Sequence, residues 1–304
     1  MKTSLFTLNE NSLRDSLISR AGNALVTLHT GLDYVIKPRT YGDIRNLLTG
    51  TYQTMGLMFR LEDVLYAGAE SATLPNITAF PTTWTAHNAL HVLPTSFGHY
   101  QEDPTEKPLA FLELYEVVSG RTVMIFDKPE EPFVTAIVGK SGDKILSPNR
   151  AIHTIFNLSP DRALVLLDLA NSRRHCSHKE IQKASGPILL MAIQESTFIV
   201  KLSPAYINRS DGFGVSLPSG QDTFDVRFPL NGIENIGQHI SDALLSGAMR
   251  EQIRALGIHV VAAEEIDVAA ALQVGPPQVH TSLHTVTKTA PSPVQHYFFG
   301  EDAG

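Results

Sequence analysis

Two histidines, a glutamine and a glutamate have the types and spacing of ligands for a metal ion. His99 and Gln101 lie two positions apart, so on a β-strand their side chains point to the same face. Glu113 lies in the next apolar run and His153 in a third. Imidazole, carboxylate and amide groups together suit a divalent first-row metal ion and leave positions open for substrate oxygens. We therefore predict that these four side chains converge on one metal pocket.

Three short strands must position these groups. In the run 110–118, strand alternation places Glu113 on one face and Glu116 on the other. The face with Glu113 is otherwise apolar or aromatic, so we predict that it lines the interior of a barrel. Pro148 begins the turn that leads into the strand of His153. The pocket is thus predicted to lie inside an antiparallel barrel.

Each of these residues alone also has an ordinary structural explanation. A single histidine on a strand is more often held by hydrogen bonds within the fold than by a metal ion. The chain has two separated motifs, however, and each combines glycine with polar residues at fitting offsets. The first is Gly98–Gln101 and the second is Gly142–Asn157. This combination favours the metal pocket over the structural explanation.

The same segments are similar to the motifs of one enzyme family. Ser96–Gln101 is similar to its Thr-x-Gly-His-Tyr-His, and Glu113–Tyr115 is similar to its Glu-x-Tyr. Ala151–Asn157 is similar to its Ala-His-Arg-Thr-Val-Asn region, with one residue inserted before the histidine. Pro38–Arg45 resembles the arginine-containing segment that opens its domain. The chain therefore resembles the cupin-type glucose-6-phosphate isomerases, best known from archaea, over about residues 38–172.

The resemblance implies a fold, a ligand set and a phosphate site. The fold is mainly β, a cupin jelly-roll barrel of antiparallel strands. One divalent metal ion per barrel, Fe, Mn, Zn or Ni, is held by His99, Glu113 and His153, with Gln101 in place of the remaining histidine. Contacts to the substrate phosphate come from five residues. They are Tyr66, Thr78, Ser96, Gly98 and Tyr115.

The implied reaction interconverts glucose 6-phosphate and fructose 6-phosphate, a step of glycolysis and gluconeogenesis. Glu113 and His153 are the implied catalytic residues. If an enediol forms, Glu113 is the base; if a hydride shifts between C1 and C2, the metal ion carries most of the chemistry. The alternatives are a cupin isomerase or epimerase for another sugar or sugar phosphate, and a non-catalytic cupin that binds sugar phosphates.

Two departures from the family pattern concern the metal. Gln101 is a weaker, neutral ligand than the histidine that it replaces. The segment between Gln101 and Glu113 is about five residues longer than in the family, and it contains an acidic loop around Glu106. We expect this loop to be a solvated hairpin end. We therefore expect this chain to differ from the family in the identity of its metal ion or in its affinity for it.

Length and composition predict more than one domain. A barrel needs only part of the 304 residues, so we predict a barrel domain over residues 1–180 that includes an N-terminal helical extension at Leu13–Leu28. Residues 181–304 are predicted to form a smaller α/β accessory domain. Strands are expected at 188–193, 198–202, 213–217, 223–228 and 258–262. A helix is expected over Ile236–Leu256, ended by Gly257.

Charge and cysteine content limit the partners. The net charge of −7, without a basic stripe, argues against nucleic-acid and anionic-membrane surfaces. The single cysteine, Cys176, rules out an intramolecular disulfide and favours a reducing compartment. We found no signal-peptide pattern and no apolar window of membrane-spanning length. We expect a cytoplasmic homodimer whose partner is a small sugar phosphate.

Two other histidine groups are assigned to structure. His280 and His284 have a spacing that suits metal binding on a helix, but the surrounding threonines and valine favour an extended segment. His175 and His178 lie in a polar stretch that is predicted to be a linker without neighbouring ligands. Neither group is predicted to hold a metal ion.

Overall fold

The computed structural model describes ten ranges of the chain. They are residues 35–39, 58–62, 73–80, 86–87, 90–96, 98–159, 164–171, 174–184, 186–217 and 225–273. Within these ranges, no helix is both long enough and apolar enough to cross a membrane.

Most regular elements of these ranges are strands. The first half contains β1 (Val35–Arg39), β2 (Met58–Glu62), β3 (Thr73–Phe80), β4 (Ala86–His87), β5 (Leu90–Val92), β6 (His99–Glu102), β7 (Phe111–Ser119), β8 (Arg121–Asp127), β9 (Val134–Lys140), β10 (Lys144–Pro148) and β11 (Ala151–Asn157). The second half contains β12 (Leu164–Asn171), β13 (His175–Ser177), α1 (Lys179–Lys183), β14 (Leu189–Gln194), β15 (Thr197–Leu202), β16 (Asp225–Pro229), α2 (Ile236–Leu245), α3 (Gly247–Arg254), β17 (Ile258–Ala262) and α4 (Val268–Gln273).

The strands form three sheets. The first has the order β1-β2-β3-β12-β7-β10, and the second has the order β13-β6-β11-β8-β9-β17. The third, smaller sheet has the order β16-β15-β14-β5-β4. Chain neighbours such as β7 and β8 lie in different sheets, joined through Gly120 at a φ of 87°. Two facing sheets that exchange the chain in this way have the jelly-roll arrangement.

A cluster of buried apolar side chains fills the space between the first two sheets. Val117 and Ile145 come from the first sheet, and Met124, Phe126 and Ile155 come from the second. Alternation along β7 turns Glu113 and Tyr115 to the same side as Val117. The predicted interior face of this strand is therefore the face that lines the space between the sheets.

The second sheet is covered on its other face too. Val123, Ile125 and Phe156 point away from the first sheet into a larger core, which also contains side chains of β14, β15, α2 and α3. Because both faces are covered, every residue of β11 is buried, as is every residue of β8 after Arg121. The second sheet is thus the middle layer of the molecule.

Strand pairing joins the two predicted domains. β14 pairs with β5, and β17 pairs in parallel with β9 at the edge of the second sheet. The part of the chain after residue 181 therefore completes a sheet and a core with residues that precede it. The domain boundary at residue 180 stays a prediction. Strand pairing in the folded chain does not test whether either part folds alone.

The prediction of a mainly β, jelly-roll fold is confirmed, although the two large sheets face each other without closing into a continuous barrel. The predicted strands 188–193, 198–202 and 258–262 are observed with small shifts of their ends. At 213–217 the prediction of a strand is wrong, because only Val215 forms an isolated bridge there. The helix predicted at Leu13–Leu28 lies outside the described residues, as do His280 and His284.

The single helix predicted over Ile236–Leu256 is two helices. Ser246 has extended backbone angles, φ −70° and ψ 149°, and separates α2 from α3. Buried Leu244 and Met249 lie on either side of this break, so the apolar pattern continues through it. The predicted stop is confirmed, because Gly257 adopts a φ of 76° just after α3.

Candidate metal centre

Two neighbouring strands of the second sheet bring the histidines together. β6 and β11 are antiparallel, and His99 lies directly opposite His153. Side chains of directly opposed residues share one face of a sheet. The two imidazole rings make an edge contact with a centroid distance of 4.2 Å. The pairing register therefore sets the distance between them.

The carboxylate comes from the facing sheet. Glu113 on β7 is buried, and its Oε2 lies 3.6 Å from Nε2 of His153. One donor atom each from His99, Glu113 and His153 lies within 4.8 Å of the other two. The structure thus brings together three of the four predicted ligands, and the pocket spans both sheets.

Tyr115 connects the carboxylate with one histidine. Its hydroxyl donates a hydrogen bond of 2.5 Å to Oε2 of Glu113 and lies 3.1 Å from Nε2 of His153. A hydroxyl that donates to an ionised carboxylate typically makes such a short contact. The sequence predicts a phosphate contact for Tyr115; the structure places its hydroxyl between two predicted ligands.

Gln101, the fourth predicted ligand, lies beside this group. Its side chain is fully buried, and its Oε1 accepts a hydrogen bond of 3.0 Å from Ser147. The same serine hydroxyl lies 3.4 Å from Nδ1 of His153. Among the described residues, Nε2 of Gln101 has no hydrogen-bond partner. The amide is therefore tied to the pocket through Ser147, and its metal role stays a prediction.

Arg174 was missed by the sequence analysis. Its guanidinium forms an ion pair with Oε1 of Glu113, and only 4% of its side chain is exposed. The strand that follows it, β13, pairs with β6 so that Cys176 lies opposite Gln101. Positions 174 and 176 share a face by alternation. In the sequence, only the alternation of residue types in Arg174–His178 indicates a strand there. This pattern does not predict a position in the pocket unless the pairing of β13 with β6 is known.

His178 was wrongly placed in a linker without neighbouring ligands. Its Nδ1 lies 3.0 Å from the carbonyl oxygen of Gly98, and its ring lies 5.9 Å from that of His99. The polar stretch after β12 folds back along the edge of the second sheet as β13 and α1. It therefore contributes to the wall of the pocket.

A second carboxylate also went unnoticed. Asp168 is buried on β12, directly opposite Tyr115 on β7. Directly opposed residues share a face, so Asp168 lies on the interior side. The signal was a single acidic residue in the apolar run Leu164–Ala170.

Ser96 and Gly98, two of the predicted phosphate contacts, have structural roles next to β6. The hydroxyl oxygen of Ser96 accepts from the backbone N–H of Ile155, at 2.9 Å, and of Gly98, at 3.3 Å. Gly98 adopts a φ of 72°, and a Cβ there would lie 2.6 Å from Oγ1 of Thr154. Both residues therefore shape the turn that leads into β6.

Thr78 and Tyr66 are the two remaining residues that are predicted to contact the substrate phosphate. The backbone of Thr78 lies on β3, and its side chain is outside the described part of the structure. Tyr66 lies outside the described residues altogether. The phosphate roles of all five candidates stay predictions.

Glu116 lies on the opposite face of β7 from Glu113 and forms an ion pair with Lys144 at 3.6 Å.

The donor set fits a divalent ion. Ligand atoms about 2.1 Å from a common ion are at most about 4.2 Å apart, so three donors within 4.8 Å need only small side-chain rotations to meet one ion. Two imidazoles and one carboxylate are ligands that iron, manganese, zinc and nickel accept. Both carboxylate oxygens of Glu113 have protein contacts, so an ion would share this ligand with Arg174 and Tyr115.

Residues 93–207 match the family model for glucose-6-phosphate isomerase. This segment contains all the pocket residues described above. No curated protein sequence matches the chain.

Similar solved structures include two bacterial cupin-2 proteins. A cupin 2 conserved barrel domain protein from Rhodopseudomonas palustris is 12% identical, with a TM-score of 0.29; the alignment covers 47% of this chain and 74% of that one. A cupin-2 domain from Rhodospirillum rubrum is 14% identical, with a TM-score of 0.31, over 49% of this chain and 75% of that one.

Proposed function

From the confirmed resemblance of residues 93–207 to glucose-6-phosphate isomerases, we propose that this chain is a metal-dependent aldose–ketose isomerase that interconverts glucose 6-phosphate and fructose 6-phosphate. One observation carries the proposal. His99, Glu113 and His153 converge within the matched segment, at the positions that the family motif predicts. A cupin sugar isomerase is the coarser statement that the match supports; the substrate pair is our proposal.

The reaction moves one hydrogen between C1 and C2 and one proton between O1 and O2. A divalent ion in the pocket would polarise the two sugar oxygens and so make these transfers easier. His99 and His153 would hold the ion through imidazole nitrogens. Cross-strand pairing of β6 with β11 fixes the distance between them, so the site needs little reorganisation.

Glu113 is the proposed base. In the enediol route its carboxylate removes the proton from C2 of glucose 6-phosphate, the electron pair of the C2–H bond forms the C1–C2 double bond, and the π electrons of the C1 carbonyl move to O1, which takes up a proton. O2 then loses its proton to form the C2 carbonyl, and the carboxylate returns its proton to C1. The hydroxyl of Tyr115 holds Oε2 in one orientation and can pass a proton between Glu113 and the sugar oxygens. His153 lies next to this hydroxyl, at 3.1 Å.

Solvent isotope exchange distinguishes the two chemical routes. In D2O, a base that exchanges its proton with solvent places deuterium at C1 or C2 of the product. A direct hydride shift leaves the substrate hydrogen in place. Deuterium in the product supports the enediol route, in which Glu113 is the proposed base, and its complete absence favours a hydride shift.

The cellular context is proposed from the resemblance together with the charge, cysteine content and targeting patterns of the sequence. We propose a cytoplasmic homodimer that acts on small sugar phosphates in glycolysis and gluconeogenesis, with neither nucleic acid nor membrane as partner. Light scattering after gel filtration tests the dimer.

Metal reconstitution tests the function. The protein is stripped with a chelator, reloaded separately with iron, manganese, zinc and nickel, and assayed for conversion of fructose 6-phosphate to glucose 6-phosphate. Activity that returns with a metal ion supports the reaction and the pocket together. A folded protein that binds metal and converts no sugar phosphate refutes the proposal.

A non-catalytic sugar-phosphate-binding protein is the second candidate. Two contacts favour it: the Gln101 oxygen already accepts from Ser147, and Arg174 already pairs with Glu113. Binding of sugar phosphate to protein that holds no metal after gentle purification, without turnover, supports this candidate. An isomerase or epimerase for another sugar is tested by the same assay with other aldoses and their phosphates.

A further inference from the structure

A buried hydroxyl lies between the amide of Gln101 and one of the predicted ligand histidines. Ser147 on β10 is directly opposite Glu113 on β7, so its side chain faces the space between the two large sheets. Its Oγ lies 3.0 Å from Oε1 of Gln101 and 3.4 Å from Nδ1 of His153. Ser147 and Gln101 are completely buried, and His153 is 1% exposed. These three side chains therefore connect the two sheets away from solvent.

The single proton of the hydroxyl fixes the direction of these contacts. Oε1 of Gln101 is an amide oxygen and can only accept, so the hydroxyl of Ser147 donates its proton there. Towards His153 the oxygen of the hydroxyl then acts as an acceptor. The contact with His153 is a hydrogen bond when Nδ1 carries the ring proton, and its 3.4 Å is at the long end for such a bond.

The other ring nitrogen of His153 faces the remaining pocket residues. Nε2 lies 3.6 Å from Oε2 of Glu113 and 3.1 Å from the hydroxyl oxygen of Tyr115. A neutral imidazole that binds an ion through Nε2 has its proton on Nδ1. Histidines that bind metal ions almost always donate this second N–H to a fixed acceptor, which sets the orientation of the ring. The hydroxyl oxygen of Ser147 lies in the position of that acceptor.

We propose that Ser147 is a positioning residue of the metal centre. It accepts the Nδ1–H of His153, and Gln101 makes it an acceptor by taking its proton, so that the lone pair of Nε2 is presented to the ion. The amide oxygen of Gln101 has a second lone pair, so this role does not depend on whether Gln101 also binds the ion. The inference rests on the proposed function for the presence of a metal ion in this pocket.

Nuclear magnetic resonance of the zinc-loaded protein locates the ring proton directly. The protein is isotope-labelled in its histidines, stripped with a chelator and loaded with Zn²⁺, which is diamagnetic. The ring of His153 is assigned through its contact with the ring of Phe126. We expect Zn²⁺ on Nε2, and on Nδ1 a proton with the downfield resonance of a hydrogen-bonded N–H.

The variant Ser147→Ala should lose both effects of the acceptor. The N–H resonance of His153 should move upfield, and the affinity for Zn²⁺, measured by competition with a coloured chelator, should fall about tenfold. The matched control is Thr122→Val, which removes another completely buried hydroxyl, on β8. Thr122 donates to the carbonyl oxygen of Phe156, so its loss should leave the resonance and the affinity unchanged.

Three results overturn the inference. They are a His153 ring that binds Zn²⁺ through Nδ1, an unchanged N–H resonance in folded Ser147→Ala, and an equal loss of affinity in Ser147→Ala and Thr122→Val. If Ser147→Ala does not fold, the position of the proton in the unaltered protein decides.

The outcome is distinct from that of the isomerase proposal. The expected resonances in a protein without turnover would keep the inference and refute the isomerase, whereas turnover with Zn²⁺ on Nδ1 would do the reverse. A folded protein that binds no metal ion refutes both.

Discussion

Two buried clusters, each with a carboxylate and an arginine, lie on opposite faces of the second sheet. In the first, between the two large sheets, Glu113 is contacted on both oxygens, by Arg174 and Tyr115. In the second, the loop after β15 packs against the end of β8. There Asp127 is buried, and within the described residues its Oδ2 has no hydrogen-bond partner. Both oxygens of Glu113 thus have a contact, whereas one oxygen of Asp127 has no hydrogen bond within the described residues.

The second cluster is built differently around its arginine. Arg209 is held by Asp211, with Nε to Oδ1 at 2.9 Å, and lies over the ring of Tyr206. The hydrogen bond from Arg209 is the main cause that lowers the pKa of Asp211. Asp127 receives a hydrogen bond from the backbone of Gly214, but burial raises its pKa to about 7.

The neighbours of the two carboxylates indicate different roles: Glu113 belongs to a candidate metal site, and Asp127 belongs to a structural contact. Histidines converge on Glu113, so its charge has a use in binding an ion. No histidine joins Asp127 in the described part of the chain, and the surrounding contacts anchor a loop. A buried carboxylate alone therefore does not indicate a catalytic centre; its neighbours do.

Removing the charge of the first carboxylate should have the largest effect. Glu113→Gln should lower the isomerase activity about a thousandfold or more, because the ion loses its anionic ligand and the reaction loses its base. The matched control is Glu116→Gln, on the opposite face of the same strand. Equal activity of both variants would place the chemistry elsewhere.

Adding one methyl group to the second cluster should destabilise the fold. Gly214 has a φ of 131°, and a Cβ there would lie 2.2 Å from the carbonyl oxygen of Tyr206. Gly214→Ala should cost about 3 kcal/mol and lower Tm by about 6–12 °C. In the control Gly232→Ala, φ is also positive but nothing lies within 4 Å, so the drop should be smaller. Equal drops in calorimetry would show that the backbone angle alone matters.

Restoring the family's histidine should strengthen the first cluster. Gln101→His replaces a neutral amide by an imidazole, and we expect metal affinity to rise about tenfold. Competition with a coloured chelator measures this affinity. Gln101→Leu keeps the burial but removes the ligand atom and serves as control. The same affinity in all three proteins would mean that position 101 does not face the ion.

The smallest expected effect is a pH-dependent gain at the second carboxylate. The pKa of Asp127 is about 7 in the folded protein, against an ordinary value of 3.8. Between these values the unfolded chain releases the proton and the folded protein keeps it, so the free energy of unfolding falls as pH rises towards 7. Above about pH 7 this loss is complete.

Asp127→Asn removes this loss. It should raise Tm by about 2–4 °C at pH 8, or about 1 kcal/mol, and change little near pH 4. The gain is smaller than the shift alone implies, because the variant also gives up attraction to Arg209. Thermal unfolding at both pH values measures it. A variant that is less stable at pH 8 would show that the charged carboxylate is useful to the fold.

The sequence predicted the parts of the first cluster that depend on local alternation. The period of two places His99, Gln101 and Glu113 on interior faces, and the structure agrees. Arg174 and His178 were not predicted, because their position depends on the pairing of β13 with β6, which no local pattern specifies. The second cluster was missed for the same reason.

Chain breaks inside continuous apolar patterns were also missed. The apolar face of α2 continues into α3, so periodicity gave no reason to place a break at Ser246. Serine and the following Gly247 are poorer helix formers than their neighbours, which was the weak local signal. The shared core of the two predicted domains likewise depends on contacts between distant parts of the chain.

The parallel pairing of β17 with β9 has a consequence for how the chain is made. It joins residues 134–138 to residues 258–262, so the edge of the middle sheet stays unpaired during synthesis until the last described strand arrives. An open edge of this kind can pair with the edge of another chain. A chain cut before Ile258 would keep that edge permanently, and we expect it to form insoluble aggregates even though its metal pocket is complete.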